Sequence, residues 1–442
     1  MHFVDSVISI VCATLLDPDI LEKSRRRKGA FTRNCKLLPY WTVMKLLLGN
    51  IKDSIASTLD SFFSAFAREH GIPLSEAPRC SQQAFSKARA GISHVLFQEC
   101  FERVLDFLCS PDSHDYNKRL GGIWGIQVIA IDGSKIPLPS RTSLLDKYGG
   151  MGRDASSPTA IASIAFDVLN ERILDAQFEP LSIDERTLAM RHMAAIKAKN
   201  RVDLLRAMLV FDRGYASREL ITYIEKDFHS KYLFRLRDKF NNTIDALPMP
   251  TEKGDVIDCE LELYEGIRVR VLRFRLPGGT LETLITNDRE HEKNLFRDLY
   301  FLRWPVEEEY KLIKLKIGLT CFRGYSENSI LQEFWIAMLL TNISNVIKRE
   351  TDGIIKYQTQ EETEGSLLFS YKTNMNELAG CLSRDLPYIM DAESRSERMD
   401  IIKHMFELLI RTRVRDIKGS GISNPRCTPR NAKWYHNQKF NH

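Results

Sequence analysis

Residues 300–314 read Tyr-Phe-Leu-Arg-Trp-Pro-Val-Glu-Glu-Glu-Tyr-Lys-Leu-Ile-Lys. On a helix, at about 100° per residue, Tyr300, Arg303, Glu307 and Lys314 fall within roughly 60° of one another. Leu302, Val306, Tyr310 and Ile313 gather on a separate flank that can face a core. Glu308 and Glu309 point roughly 100° or more away from the polar stripe, which singles out Glu307. A carboxylate lined up with cations suits metal-assisted chemistry on a phosphate: the acid holds the ion and the cations hold the phosphodiester. The plainer alternative is an amphipathic helix with surface ion pairs. Pro305 either kinks this helix or sits in the first turn of one that starts at Trp304–Pro305.

Two more acids are placed where partners for Glu307 would be needed. Val128-Ile129-Ala130-Ile131 ends in Asp132-Gly133-Ser134, and Met208-Leu209-Val210-Phe211 ends in Asp212-Arg213-Gly214-Tyr215. Such runs read as buried strands, with glycine marking the turn after each. An aspartate closing a central strand stands at the sheet edge where α/β folds bind ligands. Either aspartate alone is as readily a turn former or a helix cap. Together with a helix-borne glutamate they offer three hard oxygen donors from distant parts of the chain. Mg²⁺ favours such a set and completes its shell with water and phosphate oxygens. Two ions about 3.5–4 Å apart would activate one oxygen and stabilise the one that leaves.

Tyr-x2-Arg-x3-Glu-x6-Lys, filled by Tyr300, Arg303, Glu307 and Lys314, resembles the signature of DDE transposases from bacterial insertion sequences of the insertion-sequence-four type. Ile131-Asp132-Gly133-Ser134, Asp212-Arg213-Gly214-Tyr215, Leu284-Ile285-Thr286-Asn287 and the Arg303-Trp304 pair are similar to that family as well, over about residues 120–345. The resemblance implies an α/β fold: a ribonuclease H-like catalytic core with a β-rich insertion, flanked by helical N- and C-terminal regions. It implies Asp132, Asp212 and Glu307 as catalytic residues and as ligands of two Mg²⁺ or Mn²⁺ ions. Tyr300, Arg303 and Lys314, with Arg213 and Trp304, would grip DNA. The implied activity is cleavage at transposon ends and joining of the 3′-hydroxyls to target DNA, by a homodimer on double-stranded DNA carrying terminal inverted repeats. Members that excise through DNA hairpins carry a base-stacking tryptophan, and no Trp occurs here between 125 and 303. Two alternatives remain open: a catalytically inactive, transposase-derived DNA-binding protein, and a ribonuclease H-like nuclease that cleaves without joining.

The elements that must position these residues follow from pattern. Residues 1–118 carry helix-period patterns, with Ser81 as a candidate cap of a helix whose Gln, Ser, Lys and Arg side chains could reach DNA. The family resemblance implies that this region binds DNA. The first part of the core spans 119–237, with a hairpin at Leu169-Asn170-Glu171. Residues 238–286 read as β-rich, and the resemblance implies an insertion there that would shape a DNA channel with Arg268, Arg270, Arg273 and Arg275. Alternation along a strand splits those arginines into two pairs on opposite faces, so a bulge would be needed to unite them. Residues 287–375 hold the Glu307 helix and an apolar helix over 330–347, with a loop expected over 350–365. Residues 376–442 form a helical region and a tail.

Composition adds little and excludes some classes. The 442 residues carry a net charge of +5, which is mild; nine Lys or Arg against two acids from Ile401 to His442 make a tail suited to phosphate. Nine cysteines without Cys-x-x-Cys spacing argue against a structural zinc site and fit a reducing, cytoplasmic setting. Neither Gly-x4-Gly-Lys nor His-Glu-x2-His is present, so nucleotide hydrolysis and zinc proteolysis lack support.

Overall fold

The computed structural model describes residues 1–31, 37–49, 54–110, 113, 125–251, 254–276, 278–302, 304–313, 319, 321–361 and 370–416. Among the described residues six α-helices come first: α1 (His2–Leu16), α2 (Pro18–Ser24), α3 (Tyr40–Gly49), α4 (Ile55–Glu69), α5 (Gln82–Arg89) and α6 (Val95–Cys109). The central part alternates β1 (Gln127–Pro137), α7 (Thr142–Tyr148), β2 (Gly150–Met151), β3 (Ser157–Asp167), β4 (Arg172–Pro180), α8 (Glu185–Lys199) and β5 (Ala207–Phe211). It continues with α9 (Arg218–Tyr223), β6 (Lys231–Arg235), α10 (Asn242–Asp245), β7 (Val256–Tyr264), β8 (Ile267–Arg275) and β9 (Leu281–Thr286). Then come α11 (Lys293–Phe301), α12 (Trp304–Lys311), α13 (Glu327–Glu361), β10 (Tyr371–Lys372), α14 (Met375–Asp391), α15 (Arg395–Arg411) and β11 (Val414–Arg415).

The protein is therefore mixed α/β. Nine strands form one mixed sheet in the order β2-β3-β1-β5-β6-β9-β8-β7, with β4 also paired to β3. β1, β5 and β6 run parallel, while β3 is antiparallel to both β1 and β4. Val128 to Ile131 and Ala207 to Phe211 are buried along their whole length, as central strands covered on both faces must be. β1 does not turn at Gly133, as the sequence suggested. It loses β5 after Ala130 but stays paired with β3 as far as Pro137↔Thr159, because the hairpin partner continues to satisfy its backbone. β9 pairs antiparallel with β6 and with β8, so β7–β9 extend the central sheet instead of standing apart from it.

Three of the four arginines expected to line a channel are committed within the protein. Arg270 grips both carboxylate oxygens of Asp258 at 2.8 and 2.7 Å. Arg273 is buried and donates to the Leu247 carbonyl, and Arg275 donates to the carbonyls of Pro250 and Gly279. The register of β7 on β8 shifts between Glu262 and Tyr264, beyond the arginines, so no bulge unites the pairs. Arg268 and Arg275 are the exposed members of the four.

α13 is the axis on which the helices pack, against α6, α1 and β4. It is long and apolar enough to cross a bilayer, yet 94% of its apolar window is buried in the protein. It also overruns the expected loop, reaching Glu361. Thr351 and Ile355 stay buried one and two turns past Ile347, and Lys348 pairs with Asp352 one turn on, so burial and ion pairing carry the polar stretch as helix. Ser81 caps α5 by accepting from the Ala84 amide. Arg89 at the end of α5 does not reach out to a ligand: it is buried and bonds Gln332, Glu333 and the Ser329 carbonyl on α13.

Candidate active site

Register brings the two aspartates together. Ala130 on β1 pairs with Val210 on parallel β5, so Asp132, still within β1, and Asp212, just past the end of β5, stand two residues further on at the same level. Adjacent strands lie about 4.8 Å apart. The Asp132 carboxylate accepts from the Gly133 amide at 2.9 Å, and its backbone carbonyl accepts from Ser163 at 3.1 Å and Tyr310 at 2.8 Å. Asp212 follows the last residue of β5, with its side chain 39% exposed, and accepts from the Tyr300 hydroxyl at 3.2 Å. Arg235 Nη1 lies 3.9 Å from the same oxygen, with its guanidinium 5.8 Å from the Tyr300 ring centre. Arg235 follows from the register too, since Phe234 pairs with Phe211.

Glu307 rides on α12. The helix starts at Trp304 with Pro305 in its first turn, and α11 ends at Phe301. A single continuous helix through Tyr300 and Glu307 therefore does not form, because proline at its second position favours a fresh start. Val306, Tyr310 and Ile313 are buried, which is the apolar flank read from the sequence. Tyr310 fixes α12 to β1 at the carbonyl of Asp132, and half-buried Glu307 lies one turn before it. Tyr310→Phe should leave α12 less firmly seated, costing about 1 kcal/mol of stability because the hydroxyl that bonds the Asp132 and Ala162 carbonyls is lost. Urea denaturation of the variant checks this.

The neighbouring Glu309 turns into the α12–α13 interface. It is buried, accepts from Asn345 at 2.7 Å, and burial pushes its carboxyl up to about 8. The unfolded chain releases this proton near pH 4.5, whereas the folded protein holds it until about 8. Stability from this group is thus complete below about pH 4.5 and falls with a slope of up to about 1.4 kcal/mol per unit as pH rises towards 8. Glu309→Gln keeps the Asn345 bond and should flatten that slope, giving a larger gain in melting temperature at pH 8 than at pH 5.

Tyr300 is buried against Asp212, and Arg213 is exposed in the turn after it. Trp304 opens α12, but its side chain, Arg303 and Lys314 lie outside the described residues, as does the tail over 417–442.

Glu185 was not anticipated. It opens α8 behind the capping Asp184, where an acid reads as an ordinary cap complement. In three dimensions its carboxyl lies against Gly133, next to Asp132. Beneath the site a buried chain runs from Asp175 through His192, at 2.6 Å, to Ser163, at 2.9 Å, and on to the Asp132 carbonyl. His192 is fully buried, so this chain holds strand and helix together and presents no nucleophile to solvent.

The site's donors are carboxylates, a set that fits a hard divalent cation. Tyr215 adds a sign of the same kind: its buried hydroxyl has no hydrogen-bond partner among the described residues. A tighter trio, with its ligand atoms within 4.8 Å of one another, is Asp288, Glu290 and His291. There Asp288 accepts from the Glu290 and His291 amides, the His291 ring and Lys231, which accounts for its low-lying carboxyl as a turn-forming residue. Asp132, Asp212 and Glu307 are not drawn together that closely.

The chain is thus a mixed α/β protein whose central sheet carries two aspartates at one edge. Residues 123–343, half of the chain, match the family described as the transposase DDE domain, and the protein belongs to that family. A Sinorhizobium fredii protein named "Putative transposase y4zB" is 26% identical over 167 residues, 34% of this chain. The match spans 46% of that relative, about half of its length. A solved synaptic complex of piggyBac transposase with hairpin DNA covers 90% of this chain and 85% of its own, at 9% identity and a TM-score of 0.49, too loose a likeness to argue from.

Proposed function

We propose that the protein is a DNA transposase that cleaves at the ends of its element and joins the 3′-hydroxyls to target DNA. Family membership supports the class. The observation that carries the reading is the placing of Asp132 and Asp212 two residues beyond the paired Ala130 and Val210 of adjacent parallel strands, with the Glu307 helix pinned to the Asp132 carbonyl by Tyr310. The order β4-β3-β1-β5-β6, with β3 antiparallel to the others' parallel trio, supports a ribonuclease H-like core. Asp132, Asp212 and Glu307 would hold two Mg²⁺ or Mn²⁺ ions, which supply an activated oxygen and stabilise the developing charge on phosphate. Tyr300 and Arg235 orient the Asp212 carboxylate. Tyr300 thus acts on DNA through Asp212, whereas Arg213, Trp304, Arg303 and Lys314 would contact the phosphodiester backbone. The N-terminal helices, with Gln82, Gln83 and Lys87 exposed on α5, would recognise the element's ends, and a homodimer would pair two of them.

The test uses DNA carrying the inverted repeats that flank the gene, with a target plasmid and Mg²⁺ or Mn²⁺. Cleavage that leaves 3′-hydroxyls, followed by joined products, is expected. Cleavage without joining would favour the nuclease alternative, and binding without cleavage the inactive one.

A further inference from the structure

Glu185 is an acid that the proposed reaction leaves unused, yet the fold brings it to the same edge. α8 is fastened there at its first turn. Asp184 caps it, and Arg186 donates to the Gly214 carbonyl at 3.2 Å, in the turn that follows Asp212. His192 holds the next turns of α8 down on β3 through Ser163. The start of α8 is therefore held near the aspartates by the Arg186 bond at its first turn and by the buried His192 bonds two turns on.

Two observations single out the carboxyl itself. A Cβ at Gly133 would lie 3.0 Å from Glu185 Oε1 and 3.4 Å from its Cδ and Cγ. Gly133 is not among the glycines with positive φ, so its backbone does not require glycine. The missing side chain instead leaves room for the Glu185 carboxyl beside Asp132. Second, the Tyr215 hydroxyl is buried without a partner among the described residues, and its ionisable neighbours are Asp132, Glu185, Tyr310 and Asp212. A buried, unpaired hydroxyl among acids marks a place for a water or ion.

Glu185 also lacks the partner a structural acid would have. It is half-buried and makes no hydrogen bond or ion pair among the described residues. Burial raises its carboxyl, Lys135 opposes this from a distance, and Asp184 and Asp212 add repulsion. A carboxylate kept among like charges is relieved by a bound cation.

We propose that Glu185 is a fourth carboxylate of the cation-binding edge, holding a divalent ion directly or through water together with Asp132 and Asp212, with the Tyr215 hydroxyl bonding a water of the same shell. This rests on the reading of Asp132 and Asp212 as metal ligands.

The experiment titrates Mn²⁺ alone into the metal-free full chain by calorimetry, with melting temperatures recorded in parallel. Glu185→Gln should weaken Mn²⁺ binding by about tenfold or more, while the metal-free protein melts at the same temperature or higher, since a repulsive charge is gone. Mn²⁺ affinity equal to wild type in Glu185→Gln, alongside a loss in Asp212→Asn, overturns the role of Glu185 and leaves the aspartate reading standing. Wild-type affinity in both Asp132→Asn and Asp212→Asn overturns the aspartate reading itself. Should Glu185→Gln fail to fold, Gly133→Ala takes its place, because it displaces the carboxyl without removing its charge. Weakened binding there supports the proposal, and unchanged binding overturns it.

Discussion

Asp212→Asn should abolish Mg²⁺-dependent strand cleavage, lowering the rate by about 10³-fold or more, the scale of losing a group that stabilises transition-state charge. The fold should survive, because the Asp212 side chain is 39% exposed and bonded only at its rim by Tyr300 and Arg235. Substitutions at such positions shift stability by about 0.5 kcal/mol or less. DNA binding should also persist, since the carboxylate is not a phosphate contact. Asp132→Ala and Glu307→Ala should behave alike. Gel assays of cleavage beside filter binding of end DNA separate the two effects, and cleavage persisting in Glu307→Ala would remove that residue from the site.

Arg89→Ala should be strongly destabilising, costing about 3–5 kcal/mol. Its guanidinium lies 2.8 Å from the Glu333 carboxylate, and the two side chains are 3% and 8% exposed. Two further bonds go to Gln332 and the Ser329 carbonyl. Truncation strands the Glu333 charge in the interior, although the Arg323 amide still bonds its second oxygen. Replacing both partners, as in Arg89→Met with Glu333→Gln, should recover part of the loss because no orphaned charge remains. Urea denaturation measures both. A loss below about 1 kcal/mol for Arg89→Ala, the worth of an exposed pair, would mean that water reaches this contact.

Much of the sheet was legible. β5, β7, β8 and β9 were readable because apolar runs and alternation are local signals bounded by turn residues. Val306, Tyr310 and Ile313 were readable as one buried flank because helical spacing alone sets it. Pro305 left two readings open, a kink or a helix starting at Trp304, and the structure shows the second, because the choice depends on how each half packs. The roles of the β8 arginines were also hidden: Arg270 and Arg273 pair with Asp258 and the Leu247 carbonyl, partners fixed only once the strands and loops fold together.

By itself the sequence singled out the side chains that could carry chemistry, Asp132 and Asp212 at the ends of apolar runs and Glu307 beside cations, because residue type and spacing are written in the chain. Tertiary structure alone decided that β1 and β5 are neighbours in register. It also decided that Tyr310 ties α12 to Asp132 and that Glu185 comes to rest in the space left by Gly133. Strand order and helix docking minimise exposed apolar surface over the whole molecule, and no local stretch of sequence carries that sum.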